Sequence, residues 1–110
     1  MKQFTIKKAP LNNNFTGINT TTLGIATGEL KLCGIKLYLY LSSNRDDTVW
    51  NLNPSAFANW MGMDYTNATQ ARAVRKIVND GISDLLEKGY LKVLDSDLEK
   101  YEFLEQKVPD

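Results

Sequence analysis

The strongest constraint on the fold is an amphipathic pattern that runs from residue 67 to residue 89. Apolar residues recur there every three or four positions, as on one stripe of an α-helix: Ala71, Val74, Val78, Ile82 and Leu85. Thr66 or Asn67 is suited to cap the start of this helix, and Gly89 is suited to end it. Gly81 lies inside the helix, where glycine costs about 1 kcal/mol relative to alanine. We therefore predict a long helix that ends near Lys88 and approaches a neighbour closely, or bends, at Gly81.

The charge of this helix changes halfway along. Residues 69–78 contain Arg72, Arg75 and Lys76 and no acid, whereas residues 79–88 contain three acids and one base. The chain as a whole divides in the same way, with net charge +5 over residues 1–79 and −5 over residues 80–110. Acids near a helix C-terminus oppose the helix dipole, so this arrangement does not follow from helix stability. The pattern favours a functional reason for the basic front.

The remaining elements follow from shorter patterns. Residues 2–8 alternate as a short strand, while residues 12–28 are rich in Asn, Thr and Gly and predict an irregular segment with a strand near residues 20–25. Residues 30–43 fit either a strand or a helix, and their length favours the helix. A turn at 44–48 and a short strand at 49–52 follow. We divide the single domain into an N-terminal strand or arm with its irregular segment, 1–28, and a main part, 29–110.

Local signals place the last elements more firmly. Asn53 followed by Pro54 is a strong helix start, and Gly62 supplies the stop of that short helix. Two alternating segments, 90–95 and 100–105, flank a turn at 96–99 and predict a β-hairpin.

Composition excludes several classes of function. The chain has no histidine and a single cysteine, Cys33, so neither a structural zinc site nor a catalytic triad with histidine can form. It has no Gly-rich phosphate loop. Chemistry by carboxylates alone remains as an alternative, but the acids are scattered along the sequence, so we expect a protein without enzyme activity, metal or cofactor. No apolar run reaches the roughly 18 residues that span a membrane, and the N-terminus lacks the apolar block of a signal peptide. We expect a cytoplasmic protein without membrane contact.

The order of helix, strand, short helix, turn, long helix and hairpin resembles the winged helix-turn-helix family. The segments that carry the resemblance are GIKLYLYLSSN, NPSAFANWMG and DLLEKGYLKVL, the last leading from a helix end into the wing. The chain is also similar to small DNA-binding domains of phage and plasmid replication initiators. The resemblance implies an α+β fold with three helices, a C-terminal hairpin wing and a short N-terminal strand.

The resemblance also implies where DNA would bind. In a helix-turn-helix the N-terminal half of the second helix enters the major groove, where Arg, Asn and Gln suit base edges and Lys and Thr suit phosphates. The candidate residues on this helix and its entrance are Thr66, Asn67, Thr69, Gln70, Arg72, Arg75, Lys76 and Asn79. Lys100 and Tyr101 are candidates on the wing, and Lys7 and Lys8, with Lys2, on a basic arm. The three N-terminal lysines could instead protect an edge strand from pairing.

The function expected from these residues is sequence-specific binding of double-stranded DNA without catalysis. The resemblance suggests replication, DNA transfer or transcription control in a phage or plasmid. Homodimerisation would raise the affinity of so small a module, and an exposed Tyr38 or Tyr40 could mark the dimer surface. The alternative is a protein-interaction scaffold, because acids at the wing tip (Asp95, Asp97 and Glu99) would repel phosphate and attract a basic partner.

Overall fold

The computed structural model describes residues 2–9 and 20–106, which form four helices and a four-stranded mixed sheet. The predicted α+β class is therefore confirmed. The elements in chain order are β1 (Gln3–Lys7), α1 (Thr20–Glu29), α2 (Leu32–Ser42), β2 (Val49–Asn51), α3 (Pro54–Trp60), α4 (Ala68–Lys88), β3 (Leu91–Asp95) and β4 (Lys100–Leu104).

The N-terminal strand lies inside the sheet. The strand order is β2-β1-β4-β3, with β1 antiparallel to β2, parallel to β4, and β3 and β4 paired as the predicted hairpin. Phe4 sits opposite both Trp50 and Tyr101. Because β1 has a hydrogen-bonded neighbour on each side, the interpretation of its lysines as protectors of an edge strand is wrong.

Helix α1 corrects the prediction of a strand near residues 20–25 and brings the described helices to four instead of three. Thr and Gly dominate this segment, and both are weak helix formers. Packing overrides that preference, since Ala26 is fully buried and Leu30, whose N–H donates to the Ala26 carbonyl at 2.9 Å, is nearly so. The rest of the segment predicted as irregular, 12–19, lies outside the described residues.

The other predicted helices are confirmed with their caps. The ambiguous segment at 30–43 forms α2. The Asn53 side chain accepts from Ser55 N at 2.9 Å and from Ala56 N at 3.2 Å, which caps α3. At the end of α4, Gly89 takes a left-handed conformation with φ of 87°, as a C-terminal glycine often does. Local capping chemistry therefore fixes the boundaries of both helices.

An apolar core joins the sheet to α2, α3 and α4. Its fully buried members include Phe4, Ile6, Leu37, Tyr38, Leu41, Phe57, Val74, Leu85 and Phe103. Tyr40 is half-buried among Trp50, Phe57 and Trp60, with ring centroids 4.8–5.1 Å apart. Neither Tyr38 nor Tyr40 is therefore an exposed tyrosine of the kind expected at a dimer surface.

Helices α2 and α4 approach closely where glycines replace side chains. A Cβ atom at Gly81 would lie 2.8 Å from the Cys33 carbonyl oxygen, and one at Gly34 would overlap the Asp84 carboxylate. That buried carboxylate accepts from Lys31 N at 2.6 Å, at the first turn of α2. The close approach predicted at Gly81 is confirmed, and it holds α4 against α2.

We predict that Gly81→Ala destabilises the protein even though alanine is the better helix former. The added methyl would meet a backbone carbonyl, and such overpacking costs about 1–3 kcal/mol, against a gain of about 1 kcal/mol in helix propensity. Urea unfolding followed by circular dichroism measures the net change. The matched control is Gly24→Ala in α1, where a Cβ would meet nothing within 4 Å and stability should not fall. A gain of stability in both variants would contradict the packing argument.

Candidate nucleic-acid interface

The front half of α4 presents one exposed polar face. Thr69, Arg72, Arg75, Lys76 and Asn79 are all exposed, and at 100° per residue they fall within a sector about 120° wide. The opposite side of the helix carries buried Val74 and Val78. Within this sector, from residue 69 to residue 79, the sequence has no acid. The fold therefore brings these five predicted residues together on the protein surface.

The predicted residues at the helix entrance are engaged in holding the helix start. Asn67 caps α4 by accepting from Gln70 N at 3.1 Å, and the Gln70 side-chain oxygen accepts from Asp64 N at 2.7 Å. The Thr66 hydroxyl donates to Asp64 Oδ1 at 2.5 Å. Thr66 and Asn67 are exposed and Gln70 is half-buried. These three side chains hold the start of the helix through hydrogen bonds with Asp64 and with the backbone of Gln70.

Asp64 places a negative charge beside this entrance. The hydrogen bonds donated by the Thr66 hydroxyl and backbone N–H lower the pKa of the Asp64 carboxyl, because they favour its ionised form. The exposed carboxylate is thus charged at neutral pH. Asp64 lies two residues before Thr66, a spacing typical of an Asx turn, so the sequence did contain a signal for this contact.

The three cations of the front face differ in their surroundings. Arg72 makes no side-chain hydrogen bond or ion pair with another described residue. Arg75 donates from Nη1 to the Tyr65 hydroxyl at 3.4 Å. Lys76 pairs with Asp80 at 2.7 Å one turn later, and the hydrogen bond to that carboxylate raises the pKa of Lys76. Arg72 and Arg75 therefore keep their full charge available, while that of Lys76 is partly balanced.

A cleft of about 320 Å³ continues the front face of α4 toward the hairpin. Arg75 and Asn79 of α4 line this cleft together with Lys2 and Glu99. The other lining residues are Leu52, Pro54 and Val78. Lys2 pairs with Glu99 at 3.0 Å. The hairpin tip is thus next to the predicted helix face, and Lys2 balances the acid nearest the cleft. No local signal in the sequence predicts this pair, whose members are 97 residues apart.

The predicted wing residues lie on β4 and are both half-buried. Tyr101 stacks on Phe4 with ring centroids 5.5 Å apart, so its ring is largely occupied by the core. Lys100 sits opposite Gln3 on one side and Asp95 on the other, at the base of the hairpin turn. Of the two, Lys100 is the better placed for a contact beside the cleft.

The three N-terminal lysines do not form one basic arm. Lys2 lines the cleft, and Lys7 pairs with Asp47 about 16 Å further along the strand. Lys8 is buried, with its ammonium group 2.9 Å from Glu105 Oε2 and also bonded to the Ser42 carbonyl. The second carboxylate oxygen of Glu105 accepts from Ala9 N at 2.9 Å. The prediction of Lys8 as a DNA contact is therefore wrong, since its charge is used inside the protein.

The part of the chain that the structure describes lacks the features of two other classes of site. Within residues 2–9 and 20–106, no three Cys, Asp or Glu side chains are grouped as metal ligands would be. None of the helices found there combines the length and the apolar character needed to cross a membrane. Comparison of the chain with protein-family models, curated proteins and solved structures gives no match. The features that bear on function are therefore those of α4 and its surroundings.

We predict that Lys8→Met destabilises the protein strongly, because it leaves the Glu105 carboxylate buried without its cation. Breaking a buried ion pair in this way costs about 3–5 kcal/mol. Lys7→Met is the matched control, since it removes the neighbouring lysine from an exposed pair with Asp47. Urea unfolding should show a large loss for Lys8→Met and little change for Lys7→Met. Equal behaviour of the two variants would contradict the structural role of Lys8.

Proposed function

We propose that this protein binds double-stranded DNA in a sequence-specific way, with the front half of α4 in the major groove. The observation that carries the proposal is the exposed face of Thr69, Arg72, Arg75, Lys76 and Asn79, along which the sequence has no acid before Asp80. Its side chains are the types that hydrogen-bond base edges and phosphates. An α-helix fits the major groove of B-DNA, and α4 is long enough to enter it while its rear half packs on α2.

The environment of this face supports the same function. The short helix α3 and the turn at 61–67 precede α4, as the first helix and turn do in a helix-turn-helix. The hairpin tip is adjacent across the cleft, where Lys2 balances the charge of Glu99. The acids of α4 begin at Asp80, which follows the last residue of this face and pairs with Lys76. The protein would act without catalysis, and its resemblance to replication-initiator domains favours a role in replication, DNA transfer or transcription control in a phage or plasmid.

Removal of the front cations should abolish DNA binding. We expect Arg72→Ala/Arg75→Ala/Lys76→Ala to lose most of its affinity for duplex DNA, measured by fluorescence anisotropy on a mixed pool of duplex fragments. For the wild type, affinity should fall steeply with salt. In single variants the slope of log affinity against log salt should become shallower by about 1 for each lost cation that touched a phosphate.

The matched control removes the same charge from elsewhere. Arg45→Ala/Lys88→Ala/Lys92→Ala has the same net charge as the first triple variant, but none of these residues lies on the front face of α4. It should bind more tightly than the front variant. If both triple variants lose affinity for DNA equally, net charge alone drives binding. If both keep the affinity of the wild type, the DNA contact lies away from the front face of α4.

Glu99 offers a test of whether DNA occupies the cleft. Glu99→Gln removes an acid beside Arg75 and Asn79 and releases Lys2 from its ion pair. If a phosphate lies nearby, affinity should rise by between about twofold and about fivefold, as expected for a solvent-exposed charge contact of up to about 1 kcal/mol. Glu87→Gln, an exposed acid on the rear half of α4, is the control and should change nothing. An unchanged affinity for Glu99→Gln would place the DNA outside the cleft.

A further inference from the structure

The hairpin carries exposed apolar residues among acids. Val93, Leu94 and Leu98 are 50%, 55% and 58% exposed. Single exposed apolar residues scattered over a surface are normal, but a group of them on one hairpin is unusual. The acids Asp95 and Asp97 lie between them in sequence, and β3 is an edge strand of the sheet. All five residues lie between positions 93 and 98 of the hairpin, and we call them the acidic hairpin patch.

The start of α2 carries the opposite combination. Leu32 is 66% exposed, the most exposed large apolar side chain of the described residues. Lys31 precedes it and is also exposed, and Lys36 follows one helical turn later on the same side of α2. On the preceding helix α1, Ile25 is 56% exposed. We call Lys31, Leu32 and Lys36 the basic helix patch.

We propose that the acidic hairpin patch of one molecule docks on the basic helix patch of a second copy of this chain. Each patch offers apolar surface to bury, and their charges are opposite in sign, which favours the pairing of unlike patches. Two hairpins brought together would instead place like charges side by side. A second copy of the chain therefore supplies the basic surface that would pair with the acidic hairpin patch.

The symmetry of such a contact has a consequence for assembly. Reciprocal docking, with each hairpin patch on the partner's helix patch, closes a two-fold dimer, whereas docking in one direction extends into a ring or an open chain. Neither patch includes a residue of the front face of α4. Repeated DNA sites would then be filled cooperatively, since each bound copy raises the effective concentration of the next.

Complementary variants test this arrangement without DNA. Leu98→Ser/Asp97→Lys disables the hairpin patch, and Leu32→Ser/Lys36→Glu disables the helix patch. In sedimentation velocity at low salt, the wild type should self-associate, and each variant alone should associate more than about tenfold more weakly. An equimolar mixture keeps one intact hairpin patch and one intact helix patch, and it should form a heterodimer and nothing larger.

Two control variants leave both patches intact. Glu87→Lys and Arg45→Glu make the same single charge changes at exposed positions outside both patches, and each should associate as the wild type does. Circular dichroism establishes that all variants are folded. A wild type that stays monomeric at its highest soluble concentration overturns the proposal. So does a folded patch variant that self-associates as strongly as the wild type, or a mixture without heterodimer. Because no DNA is present, these results are independent of the proposed DNA binding.

Discussion

The crossing of α2 and α4 is the interaction on which the rest of the structure depends. Gly81 lets the backbone of α2 come against α4, and Gly34 makes room for the Asp84 carboxylate. That carboxylate belongs to α4 and hydrogen-bonds the backbone N–H of Lys31 at the start of α2. A side chain on one helix therefore satisfies a donor at the end of the other, which ties the position of α2 to that of α4.

This crossing also determines which part of α4 can meet a partner. It occupies the rear half of the helix, where the buried Asp84 and the contact at Gly81 lie. The front half remains free on the side opposite Val74 and Val78 and carries the exposed cations. The charge of α4 thus changes where its surroundings change, since the rear half packs against α2 and the front half faces solvent. This division gives one rear acid, Asp84, a structural role, because its carboxylate accepts from Lys31 N, whereas Asp80 and Glu87 are exposed.

The sequence predicted well what local chemistry decides. Asn53, Asn67 and Gly89 fixed helix ends because capping involves only a few neighbouring residues. The apolar stripe of α4 likewise specified its buried side. Long-range relations were missed, as with β1, whose position between β2 and β4 depends on partners nearly 50 and 100 residues away. Helix α1 was missed because its Thr and Gly residues disfavour a helix until Ala26 and Leu30 are buried.

The candidate site divides in the same manner. The exposed face of Arg72, Arg75 and Lys76 could be predicted, because helical spacing alone places these residues together. The burial of Lys8 against Glu105 could not, since two charged residues at opposite ends of the chain give no periodic signal. For the same reason the pairing of Lys2 with Glu99 beside the cleft was not foreseen. Charge counts identify basic regions, but only the fold decides which charges remain available.

The central claim, that the front of α4 contacts DNA, is tested most directly by two-dimensional ¹H–¹⁵N NMR during titration with a duplex. Every backbone amide other than those of the prolines and the N-terminal residue reports its own surroundings, so no substitution is required. We expect the amides of residues 66–79 to shift or broaden first, together with the amides of Lys2 and Glu99 at the cleft. Perturbations confined to the hairpin at 91–104, or none at all, would contradict it.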